Sequence, residues 1–432
     1  MRIAIAGYGQ EGESSYRYWS SDHANQITIV DQKEPTRPIS DEVDTIIGEE
    51  AFSHLNGFDL VVRTAGLSPK KIKTDGRVWS ATNEFFAKCP AQIIGVTGTK
   101  GKGTTASLIA SILEAAGKKV WLLGNIGIPA LDYLGQIRAD DIVIYELSSF
   151  QLWDLEYSPH VAVVLRVEPE HLDVHDDFAD YVNAKTNIRR YQESGDFCVF
   201  HPTNQYSRQI AQSSNIGQAY PYGATGNRGV YEKDGEFYEN EQKICSVKSL
   251  QLIGGHNVEN ACAAISVAKL YGISNDDIEK GLMGFRGLPH RLEFVREVDG
   301  VGYYNDSFSS SAPATVAAVK SFTQPEILII GGIDRGGDFA EMTDEIATNG
   351  NIKAIIIIGL IRDKLFKMIS DKNPSLKIIS TDAISMSEIV ELAKGQSVPG
   401  DVVVLSPGCA SFDMFKNFYD RGDQFRDMVN KL

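Results

Sequence analysis

The sequence contains few cysteines and no pattern that would pair them. Its five cysteines are scattered along 432 residues, are odd in number and show no CxxC spacing. This usage suits a reducing cytoplasm and argues against both a disulfide framework and a cysteine-based zinc site. We therefore expect a cytoplasmic protein whose cysteines are small buried hydrophobes.

Long apolar runs are also missing. The longest, residues 354–360, is far shorter than the ~18 residues that a membrane-spanning helix needs. The first residues, Met1-Arg2-Ile3-Ala4-Ile5-Ala6-Gly7, become polar too soon for a secretory signal peptide. We therefore expect no membrane insertion.

Positive charge is in deficit. Lysine and arginine number 42 against 57 acidic residues, a formal net charge of −15. We do not expect such a chain to bind nucleic acid, whose backbone attracts basic surfaces. An anionic small substrate would need local basic residues and helix N-termini that act against the global charge.

Short apolar runs alternate with helical patterns from one end of the sequence to the other. This alternation is typical of βαβ units, in which helices join parallel strands. The runs that predict strands are residues 3–6, 27–30, 60–62, 93–96, 120–123, 142–145, 161–165, 327–330, 354–358 and 402–405. The sequence therefore predicts an α/β fold with mainly parallel sheets.

Two stretches interrupt this alternation and suggest where domains end. Residues 192–249 are polar and rich in Gly, Tyr and Asn, and we expect hairpins there, attached to a middle domain. A Gly-Leu-Pro-His-Arg turn at 287–291 precedes a new strand-like run at 292–298, and another strand follows Pro90. Since domains average about 150 residues, we predict three, namely residues 1–91, 92–291 and 292–432.

The first predicted strand runs directly into a glycine-rich loop, Gly7-Tyr8-Gly9-Gln10-Glu11-Gly12. Glycines let the backbone turn sharply and approach a phosphate, and the next helix N-terminus supplies free N–H groups. Asp31 ends the following strand, where a carboxylate can accept hydrogen bonds from ribose hydroxyls. The pattern fits a dinucleotide or a sugar nucleotide, and a structural glycine turn is the alternative.

A second glycine-rich loop follows the predicted strand 93–96 and reads Gly98-Thr99-Lys100-Gly101-Lys102-Gly103-Thr104-Thr105. Backbone N–H groups in such a loop cradle phosphates, a lysine neutralises the outer ones, and a hydroxyl coordinates Mg²⁺. The loop departs from GxxxxGK[ST] twice, because Val96 replaces the first glycine and Gly103 follows Lys102. Thr104 is therefore the candidate metal-linked hydroxyl, with Thr105 as the alternative.

Polar residues also follow two later strands. Glu146 ends the run 142–145, beside the phosphate loop in a parallel sheet, where a carboxylate can hold the magnesium of a nucleotide. His171 lies in Glu168-Pro169-Glu170-His171-Leu172-Asp173, just past the run 161–165, and is the candidate for a second metal position. A solvated glutamate and a structural histidine are the alternatives.

These motifs and several later ones occur in an order that resembles the Mur ligases. The later ones are Gly124-Asn125-Ile126-Gly127, Gly255-His256-Asn257-Val258-Glu259-Asn260-Ala261, Gly287-Leu288-Pro289-His290-Arg291-Leu292-Glu293 and Asn305-Asp306-Ser307. The ending, with Ser406-Pro407-Gly408, Ser411-Phe412-Asp413, Phe415-Lys416-Asn417-Phe418 and Arg421-Gly422, resembles the D-glutamate-adding members in particular. The ordered set spans residues from about 3 to 430.

The resemblance implies three domains: an N-terminal Rossmann-like domain, a central P-loop ATPase-like domain and a C-terminal Rossmann-like domain. The central one would have a mostly parallel sheet with a smaller antiparallel sheet attached. The implied activity is an ATP-dependent ligation that adds D-glutamate to UDP-N-acetylmuramoyl-L-alanine through an acyl phosphate, during peptidoglycan precursor synthesis. ATP, Mg²⁺ at two sites and a carbamylated Lys185 are the implied cofactors, and we expect a monomer.

The resemblance also assigns site residues position by position. For the UDP substrate it implies Gly9, Gln10, Glu11, Asp31, Gly66 and Asn125. For ATP it implies the phosphate loop with Lys102, and also Asn257, Asn260, Arg291 and Asp306. The implied metal ligands are Thr104, Glu146, His171 and Lys185, although the residues alone would make Lys185 an ordinary solvated helical lysine. For the amino acid it implies Ser310, Arg335, Ser411, Phe412 and Phe418, with His290 and Asp306 as candidate proton acceptors.

The third predicted domain departs from the family pattern where the amino acid is selected. Phe308 replaces the lysine of the family's Asp-Ser-Lys-Ala-Thr-Asn, and Arg335 stands for a lysine that follows the paired glycines. Arginine keeps the charge but pairs with a carboxylate bidentately. L-Glutamate or another acidic amino acid is therefore an open alternative to D-glutamate.

Three other functions compete with the cell-wall ligase. A folylpolyglutamate-type ligase has a loop like Gly101-Lys102-Gly103, but it would lack the first glycine-rich domain. A nucleotide-sensing module without catalysis would have lost Glu146, His171 or Lys185, and all three are present. A dinucleotide oxidoreductase would depend on the first glycine loop alone.

Overall fold

The apolar runs form four β-sheets in the computed structural model, which describes residues 1–35, 37–40, 42–125, 129–224, 229–383 and 385–432. These residues divide into two compact units, one of residues 1–250 and 258–285 and one of residues 251–257 and 286–432. None of the helices described is long and apolar enough to cross a bilayer. The predicted α/β fold class is confirmed, and all ten predicted strands are present.

The first sheet has five parallel strands in the order β3-β2-β1-β4-β5. They are β1 (Arg2–Ala6), β2 (Gln26–Asp31), β3 (Asp44–Ile47), β4 (Leu60–Arg63) and β5 (Arg77–Ser80), with helices α1 (Gln10–Ser20) and α2 (Ala81–Lys88). The strand order turns at β1, so the first glycine loop lies at the carboxyl edge, where α/β sheets bind ligands.

The second sheet has six parallel strands in the order β11-β10-β9-β6-β8-β7. They are β6 (Gln92–Thr97), β7 (Val120–Gly124), β8 (Ile142–Glu146), β9 (Val161–Val164), β10 (Phe197–Phe200) and β11 (Gln218–Pro221). The helices are α3 (Lys102–Ala115), α4 (Ser149–Leu152), α5 (Phe178–Arg190), α6 (Gln205–Ala211), α7 (Gly255–Leu270) and α8 (Asn275–Gly284). β6 and β8 are neighbours, which brings the phosphate loop and Glu146 to one edge.

The expectation of hairpins throughout residues 192–249 is wrong for its first half. β10, α6 and β11 form a βαβ unit that extends the second sheet. The sequence pattern does not reveal this unit, because β10 has only four residues and β11 is a polar edge strand. The second half does form an antiparallel sheet of β12 (Val230–Lys233), β13 (Glu236–Glu239) and β14 (Gln242–Ser246).

The first two sheets share one hydrophobic core. Phe85 and Phe86 of α2 pack on Tyr145 of β8, with ring centroids 5.4 and 5.5 Å apart. Ile3 and Ile5 of β1 belong to the same buried cluster. This shared core explains why the two sheets lie within one unit, and the predicted boundary at residue 91 stays a prediction.

The second unit contains a mixed sheet in the order β15-β16-β20-β17-β18-β19, in which only the β15–β16 pair is antiparallel. The strands are β15 (Glu293–Val298), β16 (Val301–Asn305), β17 (Glu326–Gly331), β18 (Ile352–Ile358), β19 (Lys377–Ser380) and β20 (Val402–Leu405). The helices are α9 (Ala312–Val319), α10 (Ala340–Thr348), α11 (Arg362–Ser370), α12 (Met386–Lys394) and α13 (Phe418–Lys431). Apolar clusters cover both faces of this sheet, which is why its strands read as continuous apolar runs.

Glu326 begins β17 as a buried acid. Its side chain is fully buried, and neither carboxylate oxygen has a hydrogen-bond partner within the described part of the chain. Burial raises its pKa to about 8, because the charged form loses its hydration. Glu326 is therefore protonated over much of the pH range in which an exposed glutamate is charged.

We predict that Glu326 makes the free energy of unfolding fall between pH 4.5 and about 8. In this window the unfolded chain binds fewer protons than the folded one, so stability decreases by up to about 1.4 kcal/mol per pH unit. Glu326→Gln cannot titrate. The Tm of Glu326→Gln minus the Tm of the wild type should therefore be larger at pH 8 than at pH 5. An equal Tm difference at both pH values would contradict the prediction.

Candidate active site

The first glycine loop is held in place by Asp31. One carboxylate oxygen of Asp31 accepts the Tyr8 N–H at 2.7 Å, and the other accepts the Gln32 N–H at 2.7 Å. Gly7 has φ +92°, and a Cβ there would lie 2.2 Å from Oγ1 of Thr64. The Asp31 carboxylate also accepts the Lys33 N–H at 3.4 Å. All three of these donors are backbone N–H groups, so the structure gives Asp31 a loop-positioning role beside the predicted contact with ribose.

Three of the residues implied for the UDP substrate lie around one cavity of about 190 Å³. Its lining includes Gln10, Glu11 and Asn125, together with Tyr145 and Gln151. Glu11 accepts the Ala65 N–H at 2.6 Å, and burial raises the pKa of its carboxyl group. The other three implied residues, Gly9, Asp31 and Gly66, are not among the residues that line this cavity.

Sequence reasoning missed Arg63, which ties the first sheet to the segment after Glu146. Arg63 is fully buried at the end of β4 and binds both oxygens of Asp154, at 2.8 and 2.5 Å. It also donates to the carbonyls of Leu67 and Phe150, at 2.8 and 2.9 Å. A charged residue ending an apolar strand was the only signal, and its partners are distant in sequence.

The phosphate loop is fixed by the segment that follows β9. Thr99 donates its N–H to the carbonyl of Arg166 at 2.9 Å and its hydroxyl to the carbonyl of Glu168 at 3.0 Å. Gly101 caps α3 with φ +82°. Lys102 Nζ turns back to donate to the carbonyls of Gly98 and Thr99, at 3.1 and 2.8 Å. This geometry places a cation and a helix N-terminus at one loop, as anion binding requires.

Two threonine hydroxyls lie at the start of α3. Thr104 and Thr105 are both buried, and the hydroxyl of Thr105 has no hydrogen-bond partner among the residues described. A buried hydroxyl without a partner is unusual in proteins. Thr104 was the preferred candidate for the metal, and the structure keeps Thr105 beside it as an alternative.

Glu146 ends β8 next to the phosphate loop, opposite Val96 of β6. Its side chain is buried and accepts a hydrogen bond from Asn125 Nδ2 at 3.1 Å. The Asn125 N–H also donates to the Glu146 carbonyl at 3.0 Å. The structure therefore joins a residue predicted for the metal to one predicted for the UDP substrate.

Lys185 lies beneath the phosphate loop and is only 1% exposed. Its Nζ donates to the Gly98 carbonyl at 2.9 Å and to Thr97 Oγ1 at 3.2 Å, and it stands 4.6 Å from the centroid of the Tyr181 ring. Burial, and then the charge of Lys102, lower the pKa of Lys185 well below its usual range. The reading of Lys185 as an ordinary solvated lysine is wrong.

His171 lies in the loop before α5, with φ +56° and a side chain that is 46% exposed. Its ring lies 5.0 Å from that of Phe150. Within the described ranges, no group of three or more His, Cys, Asp or Glu side chains could by itself hold a metal ion. The metal roles of His171, Glu146 and Lys185 therefore stay predictions.

His175 is a second residue that sequence reasoning missed. Both nitrogens of its buried ring form hydrogen bonds, Nδ1 with the Asp180 carboxylate at 3.0 Å and Nε2 with the Ser149 hydroxyl at 3.0 Å. The ring also stacks on Phe150. The backbone N–H of His175 donates to the His171 carbonyl at 3.0 Å. Burial lowers the pKa of His175. His175 thus anchors the loop that carries His171.

Helix α7 contributes Asn260 to the phosphate loop. A Cβ added to Gly101 would lie 2.5 Å from Oδ1 of Asn260, so the two residues are in close contact. Arg166 holds this helix through two hydrogen bonds to Glu259, at 2.7 and 2.9 Å. The other asparagine implied for ATP, Asn257, belongs to the second unit, where its side chain donates to the Ile253 carbonyl at 2.7 Å.

In the second unit, Asp306 and His290 are both buried. Asp306 accepts hydrogen bonds from the Ser406 hydroxyl at 2.7 Å and the Leu292 N–H at 3.1 Å, and burial raises its pKa to about 6. His290 accepts a hydrogen bond from Asn305 at 3.0 Å and packs against Gly422. A proton-accepting role for either residue stays a prediction.

Of the residues implied for the amino acid, Ser310, Arg335 and Phe412 are exposed, Phe418 is partly buried and Ser411 is buried. The rings of Phe308 and Phe418 lie 5.1 Å apart, and the Arg291 guanidinium stands 4.4 Å over Phe308. The Arg335 guanidinium lies 5.9 Å from the exposed ring of Phe412. Two cations at aromatic rings suit a carboxylate ligand.

Known proteins match this chain over almost its whole length. The family model for the Mur ligase middle domain matches residues 96–268. The chain is 38% identical over 408 residues to the UDP-N-acetylmuramoylalanine–D-glutamate ligase of Clostridium acetobutylicum, with 91% of this chain and 87% of that protein covered. It is 34% identical over 450 residues to the ligase of the same name from Clostridium botulinum, with 100% and 97% covered. The chain belongs to the Mur ligase family.

Solved Mur ligases share the fold. MurF of Acinetobacter baumannii matches with a TM-score of 0.65 at 18% identity, covering 99% of this chain and 93% of that chain. MurC of Thermotoga maritima matches with a TM-score of 0.59 at 15% identity, covering 100% and 99%. The predicted three-domain Mur ligase fold is confirmed. Of the family motif at Gly124 to Gly127, Ile126 and Gly127 lie outside the described residues.

Since Mur ligases use ATP, we predict that Gly101→Ala weakens ATP binding. The new Cβ would displace Asn260 from the phosphate loop, and the dissociation constant of ATP, measured by titration calorimetry, should rise at least about 10-fold. The change also costs about 1–2 kcal/mol of stability, because φ is +82° there.

The matched control is Gly117→Ala. Gly117 has φ +75°, but no atom lies within 4 Å of an added Cβ. This variant should lose a similar amount of stability and bind ATP as the wild type does. Equal effects of the two variants on ATP binding would show that contact with Asn260 is unimportant.

Proposed function

We propose that this chain joins D-glutamate to UDP-N-acetylmuramoyl-L-alanine and converts ATP to ADP and phosphate. The observation that carries this proposal is the 34–38% identity, over nearly the whole chain, to relatives named UDP-N-acetylmuramoylalanine–D-glutamate ligase. The site geometry supports it independently. It includes a phosphate loop and strand-end acids and, in the second unit, two arginine side chains that lie over phenylalanine rings.

The cavity beside the first glycine loop is the proposed place of the UDP-linked substrate. Gln10, Glu11 and Asn125 line it, and all three side chains can form hydrogen bonds to a sugar or a diphosphate. Asn125 also contacts Glu146 at 3.1 Å. A substrate held there would therefore lie next to the edge at which we place the phosphates of ATP.

The residues at the phosphate loop fit a magnesium nucleotide. Magnesium is usually held by one or two carboxylates, substrate phosphates and water, so a complete protein cage is not required. Glu146 supplies a buried carboxylate, and the unpartnered hydroxyl of Thr105 or that of neighbouring Thr104 supplies a further oxygen. His171 is the proposed ligand of the second ion. When bound, the ions neutralise charge that develops on the transferred phosphoryl group.

Lys185 is the proposed site of carbamylation. A neutral amine can attack the carbon of CO₂, forming an N–C bond and releasing one proton to solvent. The buried position of Lys185 and the neighbouring charge of Lys102 lower its pKa and so favour the neutral amine. The product is an anionic carbamate, which removes the repulsion between the two lysines and can bind a metal ion.

The reaction would proceed by two displacements. The carboxylate of the UDP-linked substrate attacks the γ-phosphorus of ATP, ADP leaves, and an acyl phosphate forms. The amine of D-glutamate then attacks the acyl carbon, and phosphate leaves. Lys102 and the loop N–H groups hold the phosphates, so catalysis depends on positioning and charge neutralisation. Asp306 and His290 are the two candidates to accept the proton of the ammonium group.

The proposed enzyme works as a monomer in the cytoplasm. Its five free cysteines, four of them buried, suit a reducing compartment. Its substrates are nucleotides and an amino acid, and no nucleic-acid partner is proposed, in keeping with the net charge of −15.

The proposal predicts phosphate release only with a complete set of substrates. Purified protein should be incubated with Mg-ATP, UDP-N-acetylmuramoyl-L-alanine and one amino acid, and the product mass measured. D-Glutamate should give a ligated product, while L-glutamate, D-aspartate and D-glutamine should give little. Product with L-glutamate alone would show that the enzyme selects the L-enantiomer, and the proposed ligation reaction would remain. No product with any amino acid, in buffer that contains bicarbonate, would overturn the proposal.

Lys185→Met tests the carbamate. The variant should lose roughly 100-fold or more in kcat, and removal of bicarbonate should slow the wild type in a reversible way. Labelling with ¹³C-bicarbonate should give a carbamate resonance in the wild type that Lys185→Met lacks. Lys118→Met, at an exposed lysine, is the control and should behave as the wild type does. A wild type without the resonance would contradict the carbamate and leave the ligase reaction to be judged by its product.

A further inference from the structure

Arg421, in the first turn of α13, is bound to two loops of the second unit. Its Nε donates to the Ser307 hydroxyl and its Nη2 to the Ser307 carbonyl, both at 2.9 Å. Its Nη1 donates to the Cys409 carbonyl at 3.1 Å, and Nη2 lies 3.5 Å from the Ser310 hydroxyl. The side chain is completely buried. A rigid fork of donors thus fixes the loop after β16 to the loop after β20.

These loops and α13 carry three of the residues implied for the amino acid. Ser310 is itself within reach of Arg421, and Ser411 follows the bonded Cys409 by two positions. The Ser307 hydroxyl, which accepts from Arg421, donates in turn to the carbonyl of Phe418 at 2.8 Å. Arg421 therefore sets the relative positions of Ser310, Ser411 and Phe418 without lying on the surface.

Arg421 forms no ion pair with any residue that the structure describes. Every hydrogen bond described for it goes to a neutral hydroxyl or carbonyl oxygen. The acids that act on it, Asp306 and Asp413, attract it through space without forming an ion pair among the described contacts. Arg63 provides the contrast, because it is equally buried but bonded to both oxygens of Asp154. An unpaired charge in a low-dielectric interior keeps a strong field.

We infer that Arg421 makes the amino-acid site of the proposed ligase selective for an acidic amino acid. It does so as a positioning residue, by holding the loops of Ser310 and Ser411, and through a positive charge that Asp306 and Asp413 attract without pairing with it, which favours a second carboxylate in the occupant. This inference rests on the proposed function for the identity of the site. It concerns selection among amino acids, which the phosphate loop does not perform.

The test separates charge from geometry with two variants. Arg421→Lys keeps the charge and loses the fork, so KM for D-glutamate should rise roughly 10-fold while KM for ATP changes by less than about 3-fold. Arg421→Met removes the charge as well. The charge effect is measured as the difference between the Tm shifts that D-glutamate and D-glutamine cause, at equal ionic strength with ADP and Mg²⁺ present. This difference should persist in Arg421→Lys and vanish in Arg421→Met.

The matched control is Arg426→Met on the same helix. Arg426 is partly exposed and pairs with Glu293 and Asp423, so its loss should leave both KM values and the preference for D-glutamate unchanged. If Arg421→Met does not fold, Arg421→Lys decides alone. An unchanged ratio of the two KM values in Arg421→Lys would show that Arg421 only supports the fold, and would overturn the inference.

The inference and the proposed function fail in different ways. A wild type that ligates no amino acid at all to the UDP-linked substrate overturns the proposed function. The thermal-shift comparison still tests Arg421 in that case, because it requires only that the amino acid binds and not that it is ligated. It would then compare D- and L-glutamate with the matching glutamines. A wild type that is stabilised equally by acid and amide overturns the selectivity assigned to Arg421.

Discussion

Two lysine side chains converge on the carbonyl oxygen of Gly98, and much of the site depends on this contact. Lys102 reaches it from the start of α3 at 3.1 Å, and Lys185 reaches it from α5 at 2.9 Å. Burial of Lys185, and then the repulsion between two ammonium groups at one oxygen, lower its pKa and favour its neutral form. It also requires β6, α3 and α5 to be held in one geometry. Thr99 provides that hold by bonding to the segment after β9.

The order of the sheets then determines which acids reach this point. In a parallel sheet the carboxyl ends of all strands share one edge, so Glu146 at the end of β8 lies beside the phosphate loop. Asn125 follows β7 at the same edge and bonds to Glu146. The first sheet joins through Arg63 and the packing of α2 on Tyr145. The cavity that we propose for the UDP-linked substrate thus opens next to the phosphate loop.

The sequence predicted those parts of the molecule whose physics is local. The ten strands were found because each is a short apolar run, and the loops were found because glycine, lysine and threonine cluster after strands. β10 and β11 were missed, because a four-residue strand and a polar edge strand carry little pattern. Arg63 and His175 were missed for another reason. Their importance lies in partners such as Asp154 and Ser149, which only the folded chain brings near.

Buried basic side chains show how a chain of net charge −15 orders the loops of its candidate sites. Lys185, Arg63 and Arg421 are all buried, and each donates to main-chain carbonyls of loops at strand ends, at Gly98, Leu67 and Cys409. Such carbonyls lie beyond the sheet ladder and need donors of their own. The three buried side chains satisfy them, and Arg421, whose described hydrogen bonds go to neutral oxygens alone, also keeps positive potential at its edge. Buried basic side chains therefore order the loops at the carboxyl ends of the strands, and the residues predicted for anionic ligands lie on or beside these loops.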